Sequence, residues 1–334
     1  MSDFSIWPDL ASERLGGRAI FANDEFFAPK ENLVLDAEPT FDPSRYTDRG
    51  KWMDGWETRR RREPGNDWCI VRLGVPGIVR GIVVDTSHFR GNHPESAAVE
   101  AATIDVEPAR WDDGGNVEWS PLVERSSLAG DSANRFPVAD GQPQTHVRLS
   151  IFPDGGVARL RVHGEAVPDW ERLARGAGHG GVEVAALPRG GVVLACSDAF
   201  FGAPNHLLLP DGSAGMWDGW ETRRRRGPGH DWVIVRLGHR CRIERLEIDT
   251  RHYKGNYPES ALVEAIDVSG ASAEDLTADG AGWREVVTRT RLRPDVAHAF
   301  VAPDLAPAEA THVRLSIFPD GGVARLRVWG TLLA

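Results

Sequence analysis

DGWETRRRREPGNDWCIVRLG, residues 54–74, returns as DGWETRRRRGPGHDWVIVRLG at residues 218–238. Of the 21 aligned positions 18 are identical, and the exceptions are Glu63/Gly227, Asn66/His230 and Cys69/Val233. A second copy of a fold needs the apolar pattern and the turns of the first. It does not need the same acids, tryptophans and four-arginine run. The stretch therefore marks a duplicated domain and a polar site in each copy.

The duplication extends outward on both sides. FANDEFFAPKENL (21–33) matches ACSDAFFGAPNHLL (195–208) at an offset of 174. At the repeated stretch the offset is 164, so the first copy carries ten extra residues within 36–50. Surface loops tolerate such insertions. Downstream, IVVDTSHFRGNHPES (82–96) matches LEIDTRHYKGNYPES (246–260), and THVRLSIFPDGGVARLRV stands unchanged at 145–162 and 311–328. A period of about 165 residues is far above solenoid periods and is domain-sized. The expected organisation is a lead-in and first repeat at 1–165, a linker at 166–182 and a second repeat at 183–334. Within the linker, Pro168 followed by DWERLAR predicts a short helix ended by glycines.

DWVIVRLG, RIERLEIDT, THVRLSIF and ARLRVWG are short, alternating and rich in β-branched residues, and each ends in Gly, Asp or Pro. No long 3.6-period segment competes. The expectation is an all-β chain of two antiparallel sandwiches. In ARLRV, Leu160 and Val162 share one face and Arg159 and Arg161 the other. FPDGG predicts a tight structural turn between two strands, its glycines supplying positive φ.

The 334 residues suffice for two cored domains, and the net charge of −10 argues against nucleic acid or an anionic membrane as partner. Cys69, Cys196 and Cys241 lack metal-ligand spacing and read as small apolar residues in a reducing compartment. The start lacks a secretory pattern, and no apolar run approaches 18 residues. A cytoplasmic protein without a membrane partner is expected.

Three constellations carry chemistry. In DGWETRRRR, a strand places Asp54, Trp56, Thr58, Arg60 and Arg62 on one face and Glu57, Arg59 and Arg61 on the other. One sandwich face is core, so some of these charges lie at a strand end or in a loop. Such a rim can grip a carboxylate with an arginine fork, Arg59 or Arg223, while Glu57, Glu221, Asp54 or Asp218 accepts hydrogen bonds or moves protons. The plain alternative is an exposed arginine ladder. In the PG(N/H)DW segment, Asp67 and Asp231 are site acids or turn residues, and only the second copy sets an imidazole, His230, beside its acid. In DTxHxxGNxPES, Asp85 or Asp249 could orient His88 or His252 for base catalysis or share a metal, with Asn92 and Asn256 in the following turn. Turn capping is the alternative. No zinc-protease, P-loop or nucleophile-elbow pattern is present.

These doubled motifs, closed by THVRLSIFPDGGVARLRV, resemble the allantoicase (allantoate amidinohydrolase) family over nearly the whole chain. The resemblance implies hydrolysis of allantoate to (S)-ureidoglycolate and urea in purine degradation. It also implies two tandem jelly-roll β-sandwiches of the galactose-binding-like type and a homo-oligomer. Allantoate carries one carboxylate and two ureido groups on one carbon. Arg59/Arg223 or their neighbours would bind the carboxylate, and Glu57/Glu221 or Asp67/Asp231 the ureido N–H groups. His88, His252 and His230 are acid–base candidates. No cofactor is required by the motifs, and a divalent metal at the Asp/His groups is left open. A tandem carbohydrate- or small-anion-binding module, using Trp56 and Trp220 as rim aromatics, is the alternative of a different class.

Overall fold

The computed structural model describes residues 3–111, 116–139, 141–178 and 180–334. Met1 and Ser2 of the lead-in, residues 112–115, Asp140, and His179 of the expected linker lie outside them. The chain divides into two units, Met1–Val167 and Pro168–Ala334. The strands of the first are β1 (Arg18–Ala22), β2 (Tyr46–Thr47), β3 (Gly50–Lys51), β4 (Trp56–Glu57), β5 (Asp67–Asp85), β6 (Ser96–Ala102), β7 (Ser120–Ser127), β8 (Ala133–Pro137), β9 (Pro143–Phe152), β10 (Gly156–Val157) and β11 (Arg159–Ala166). Those of the second are β12 (Val182–Glu183), β13 (Val192–Cys196), β14 (Trp220–Glu221), β15 (Asp231–Asp249), β16 (Ser260–Ile266), β17 (Arg284–Arg291), β18 (Ala297–Phe300), β19 (Glu309–Phe318), β20 (Gly322–Val323) and β21 (Arg325–Leu332). The helix α1 (Trp170–Gly176) begins where Asp169 accepts from Arg172 N at 2.8 Å.

In the first unit β5 belongs to both layers. Its first half pairs with β1 and β9, its second half with β11 and β8, all antiparallel. Beyond β9 the sheet continues through β6 to β7. Cys69 and Val71 from the first half share one core with Ile82 and Val84 from the second. The crossing falls at Val75–Pro76–Gly77, where the register with β9 skips from Arg72 to Gly77. Pro76 has no N–H for the ladder. A Cβ on Gly77 would lie 2.6 Å from the Glu165 carbonyl oxygen, so only glycine lets β11 approach there.

The second unit repeats the plan around β15, with β13, β19, β16 and β17 on one side of the bend and β21 and β18 on the other. DWVIVRLG and RIERLEIDT, expected as two strands, are thus one bent strand. The Gly238 signal marks the bend, because a Cβ there would sit 1.6 Å from the Arg189 carbonyl oxygen. The chain is all-β in two jelly-roll sandwiches. Among the described residues no helix is long and apolar enough to cross a membrane.

Cys69 and Cys241 are buried and Cys196 is half-buried, and all three are unbridged. Burial pushes the Cys241 thiol up to about 12, and raises the other two.

His312 of β19 makes stability pH-dependent. It is 2 % exposed, its Nδ1 lies 2.9 Å from Thr311 Oγ1, and its Nε2 has no partner among the described residues. Burial, then Arg236, lowers its pKa to about 4. The buried neutral ring contributes its full stabilisation above pH 6.5, and this is lost as pH falls towards 4. The loss amounts to about 3 kcal/mol. Denaturant unfolding at pH 7.5 and pH 4.5 should show this acid limb in the wild type and a flatter one in His312→Gln. Equal slopes for the two proteins would contradict it.

Candidate active site

Each site starts from a two-residue ribbon. Glu57 of β4 pairs with Gly156 of β10 and Trp56 with Val157; Glu221 pairs with Gly322 and Trp220 with Val323. FPDGG is therefore more than a turn, since it carries the chain from the end of β9 onto β4. Gly155 holds φ 139°, and a Cβ on Gly156 would lie 2.0 Å from the Phe89 ring. Gly321 and Gly322 repeat this against Tyr253. Trp56 and Trp220 are fully buried, and their indole N–H groups donate to the Asp24 and Asp198 carbonyls at 2.7 and 2.8 Å. This removes them as rim aromatics. Thr58 and Thr222 are buried on the same face, which leaves Glu57 and Glu221 turned the other way.

Those glutamates meet the asparagines of the GNxPES turn. Asn92 Nδ2 donates to Glu57 Oε1 at 2.7 Å, and Asn256 Nδ2 to Glu221 Oε1 at 2.6 Å. Glu57 lies on the wall of an open cavity of about 420 Å³ with Phe27, Phe41, Lys51, His88 and Asn92. Glu221 lies on the wall of one of about 390 Å³ with Phe201, Arg224, Asn256, Arg291 and Asp320. Burial raises the Glu57 pKa, and the Asn92 hydrogen bond offsets part of the rise.

The arginine run alternates between tied and untied side chains. Arg59 Nε donates to Asp24 Oδ2 at 2.6 Å, and Arg223 Nη2 to Asp198 Oδ1 at 3.3 Å. Arg61 binds Asp67 at 2.7 Å, and Arg225 binds Asp231. Among the described residues Arg60 and Arg224 have no acid partner. Arg224 faces the Glu221 cavity, whereas Arg60 lies on a separate rim with Asn23, Asp24 and Arg62. The fork expected of Arg59 and Arg223 is thus occupied, and their neighbour Arg224 is available.

Asp54 and Asp218 lie beneath the site. Asp218 is 0 % exposed and receives Arg325 Nη2 at 3.0 Å; Asp54 Oδ2 receives Arg159 Nη2 at 3.1 Å. Arg159, on the strand face opposite Leu160 and Val162, is 1 % exposed. Asp67 and Asp231 are buried at the start of β5 and β15, and hold Arg61 and Arg225 as described above. Asn23 also donates to Asp67 at 3.1 Å, and Ser197 to Asp231 at 3.0 Å.

The histidines divide. His88 and His252 sit at φ 70° and 72°, each with its backbone N–H donating at 2.8 Å to an aspartate, Asp131 or Asp295. Their Nε2 atoms face the carbonyls of Pro39 (3.1 Å) and Ser213 (2.8 Å). A nitrogen facing a carbonyl must donate, so the neutral ring keeps its lone pair on Nδ1. Only His88 lines its cavity. The expected Asp85–His88 pairing is not formed, because Asp85 accepts from Ser87 N and Oγ at 2.8 and 2.6 Å. Asp249 likewise takes Arg251. His230 packs on Phe318, ring centroids 4.5 Å apart, away from the cavity. Burial, then Arg314 and Arg225, lowers its pKa. Among the described residues no three His, Cys, Asp or Glu side chains gather as a metal-ion site.

Sequence reading missed Lys51, Arg291 and the FPDGG acids. Asp154 Oδ2 and Asp320 Oδ2 accept from the backbone of Arg61 and Arg225 at 2.8 Å, and Asp320 also lines the cavity. The available signal was the unchanged Asp in both copies of FPDGG.

A jelly-roll sandwich with a carboxylate, an amide and a cation on a cleft at its rim defines a small-molecule site. The allantoicase repeat model matches residues 8–167 and 182–333. Probable allantoicase 1 of Burkholderia mallei is 45 % identical over 327 residues, covering 97 % of this chain and 94 % of that one. A probable allantoicase of Nocardia farcinica is 46 % identical, covering 98 % and 95 %. The crystal structure of allantoicase from Saccharomyces cerevisiae superimposes with a TM-score of 0.79 at 34 % identity, covering 97 % and 92 %. The chain belongs to the allantoicase family.

Proposed function

We propose that the chain hydrolyses allantoate to (S)-ureidoglycolate and urea, at the Glu57–Asn92 and Glu221–Asn256 pairs. The observation that carries this placement is Glu221 and Arg224 on the wall of one small cavity, the arginine without an acid partner among the described residues. That pair matches a substrate with one carboxylate and several ureido N–H donors. Arg224 binds the carboxylate through two parallel N–H···O bonds. Glu221, oriented by Asn256, accepts from a ureido N–H.

In the reaction the bond from the central carbon to one ureido nitrogen breaks and a water oxygen bonds to that carbon. One water proton ends on the departing nitrogen, giving urea, and the hydroxyl remains on ureidoglycolate. Either water displaces the group directly, or the second ureido nitrogen expels it and water adds to the resulting imine. Both routes need one acid and one base. Burial keeps Glu57 protonated to higher pH, which suits it to protonate the leaving nitrogen. His88 Nδ1 is the base candidate in the first unit. Asp67 and Asp231 position Arg61 and Arg225, and Asp54 and Asp218 position the floor. The enzyme works in the cytoplasm as a homo-oligomer. Light scattering that returns a single-chain mass at all concentrations would count against the assembly.

Urea release from allantoate by purified protein, with and without a chelator, tests the reading. Turnover surviving chelation is the expected result. Turnover lost and restored by a divalent ion would reassign the chemistry to a metal. No turnover would overturn the reading in favour of a binding module.

A further inference from the structure

The cavities share a glutamate and an asparagine but not their cation. In the second unit the cation without an acid partner beside Glu221 is Arg224. Its counterpart Arg60 lies on a different rim in the first unit. The first cavity holds Lys51 and Arg90 instead, and Arg90 is bound to Asp131 at 3.0 Å. Among the described residues Lys51 has no acid partner.

The ten-residue insertion explains how Lys51 arrives there. Thr40 N and Ala214 N make the same bond, to Asp54 Oδ2 at 2.8 Å and to Asp218 Oδ2 at 2.9 Å. Pro39 and Ser213 both face a histidine Nε2. The copies therefore match up to Thr40/Ala214 and again at Asp54/Asp218, so the ten extra residues lie between 41 and 53. The insertion supplies the β2–β3 hairpin and Phe41. Phe41 stacks on His88 with centroids 5.6 Å apart, and Lys51 Nζ sits 4.6 Å from the Phe41 ring centroid. Arg49 ties the hairpin down by donating to the Phe26 carbonyl at 2.7 Å. The His88 ring, held by the Pro39 carbonyl, thus stacks on Phe41, and Phe41 carries an ammonium at the cavity wall. The three residues between Ala214 and Asp218 in the second unit, Gly215–Trp217, include no cation.

We infer that Lys51 is the carboxylate-binding, specificity-determining residue of the first site, and that it does there what Arg224 does in the second. The inference rests on the proposed function and deepens it. The two sites then differ in chemistry. The second reads a planar carboxylate through a guanidinium fork, and the first reads the charge alone through an ammonium held on an aromatic ring. His88 is a positioning residue for that stack as well as a base candidate.

Calorimetry on the full chain with hydantoate tests this. Hydantoate has one carboxylate and one ureido group but no second ureido group to expel. The wild type should bind two per chain. Lys51→Met should weaken one site roughly 10- to 100-fold and leave the other unchanged. Lys51→Arg should restore it, and Arg224→Met should remove the complementary site. Unfolding midpoints equal to wild type establish that the variants are folded. Two unchanged sites in Lys51→Met, or fewer than two in the wild type, would overturn the assignment while urea release from allantoate still supports the function. Absence of urea release from allantoate by the wild type would overturn the function itself.

Discussion

The double variant Glu57→Gln, Glu221→Gln should lose urea release from allantoate by about 100-fold or more, the usual scale of removing a positioned acid or base. Glutamine keeps the shape and can still meet Asn92 or Asn256, so the fold should persist. What it loses is the carboxylate, which is the acceptor for ureido N–H groups and, at Glu57, the proton donor. The variant should therefore fall mainly in kcat, with binding of the carboxylate end retained. Initial rates across an allantoate series separate the two constants. Each single variant should keep the turnover of the untouched unit if both units work. Near-normal kcat in the folded double variant would contradict the site assignment.

Asp218→Ala should destabilise the second unit by about 3 kcal/mol, the low end for breaking a buried ion pair, since the buried guanidinium keeps one exposed acid partner. Arg325 is 1 % exposed and Asp218 0 %. Arg325 also donates to the carbonyls of Ala324 and Asp211 at 2.7 and 2.9 Å and keeps the exposed Asp211 carboxylate at 3.2 Å, which offsets part of its charge. Asp54→Ala should cost at least as much in the first unit, because it leaves Arg159, 1 % exposed, with no acid partner among the described residues. Burial acts to raise the Asp54 pKa, but Arg159 and Thr40 outweigh it and hold the carboxyl below its usual range. Its contribution is therefore complete above the unfolded pKa of about 4 and is lost as pH falls below it. Denaturant midpoints of the two variants at pH 7.5 check the order. A midpoint for Asp218→Ala equal to wild type would show that the pair is not needed.

The duplication, the β class and the identity of Glu57, Glu221, Asn92 and Asn256 as site candidates were legible in the sequence, because unchanged polar residues in two copies are hard to explain by packing. The continuity of β15 was not, because Gly238 reads equally as a stop or as a close backbone approach. Nor was the division of the arginine run. Which arginine is tied depends on Asp24 and Asp198, 35 and 25 residues away in the chain, and on Asp154 and Asp320 beyond them. Asp54 and Asp218 looked like substrate ligands because nothing local shows that Arg159 and Arg325 are buried. The insertion was visible only as an offset; that it delivers Lys51 needs the Thr40/Ala214 equivalence. The Asn66/His230 difference drew attention to a ring that packs on Phe318 instead.

A crystal structure of the Glu57→Gln, Glu221→Gln variant soaked with allantoate would locate the substrate. Allantoate should lie in the second unit with its carboxylate on Arg224 and a ureido group at residue 221. Allantoate seated instead on the Asn23–Asp24–Arg62 rim, with the residue-221 cavity empty, would contradict it.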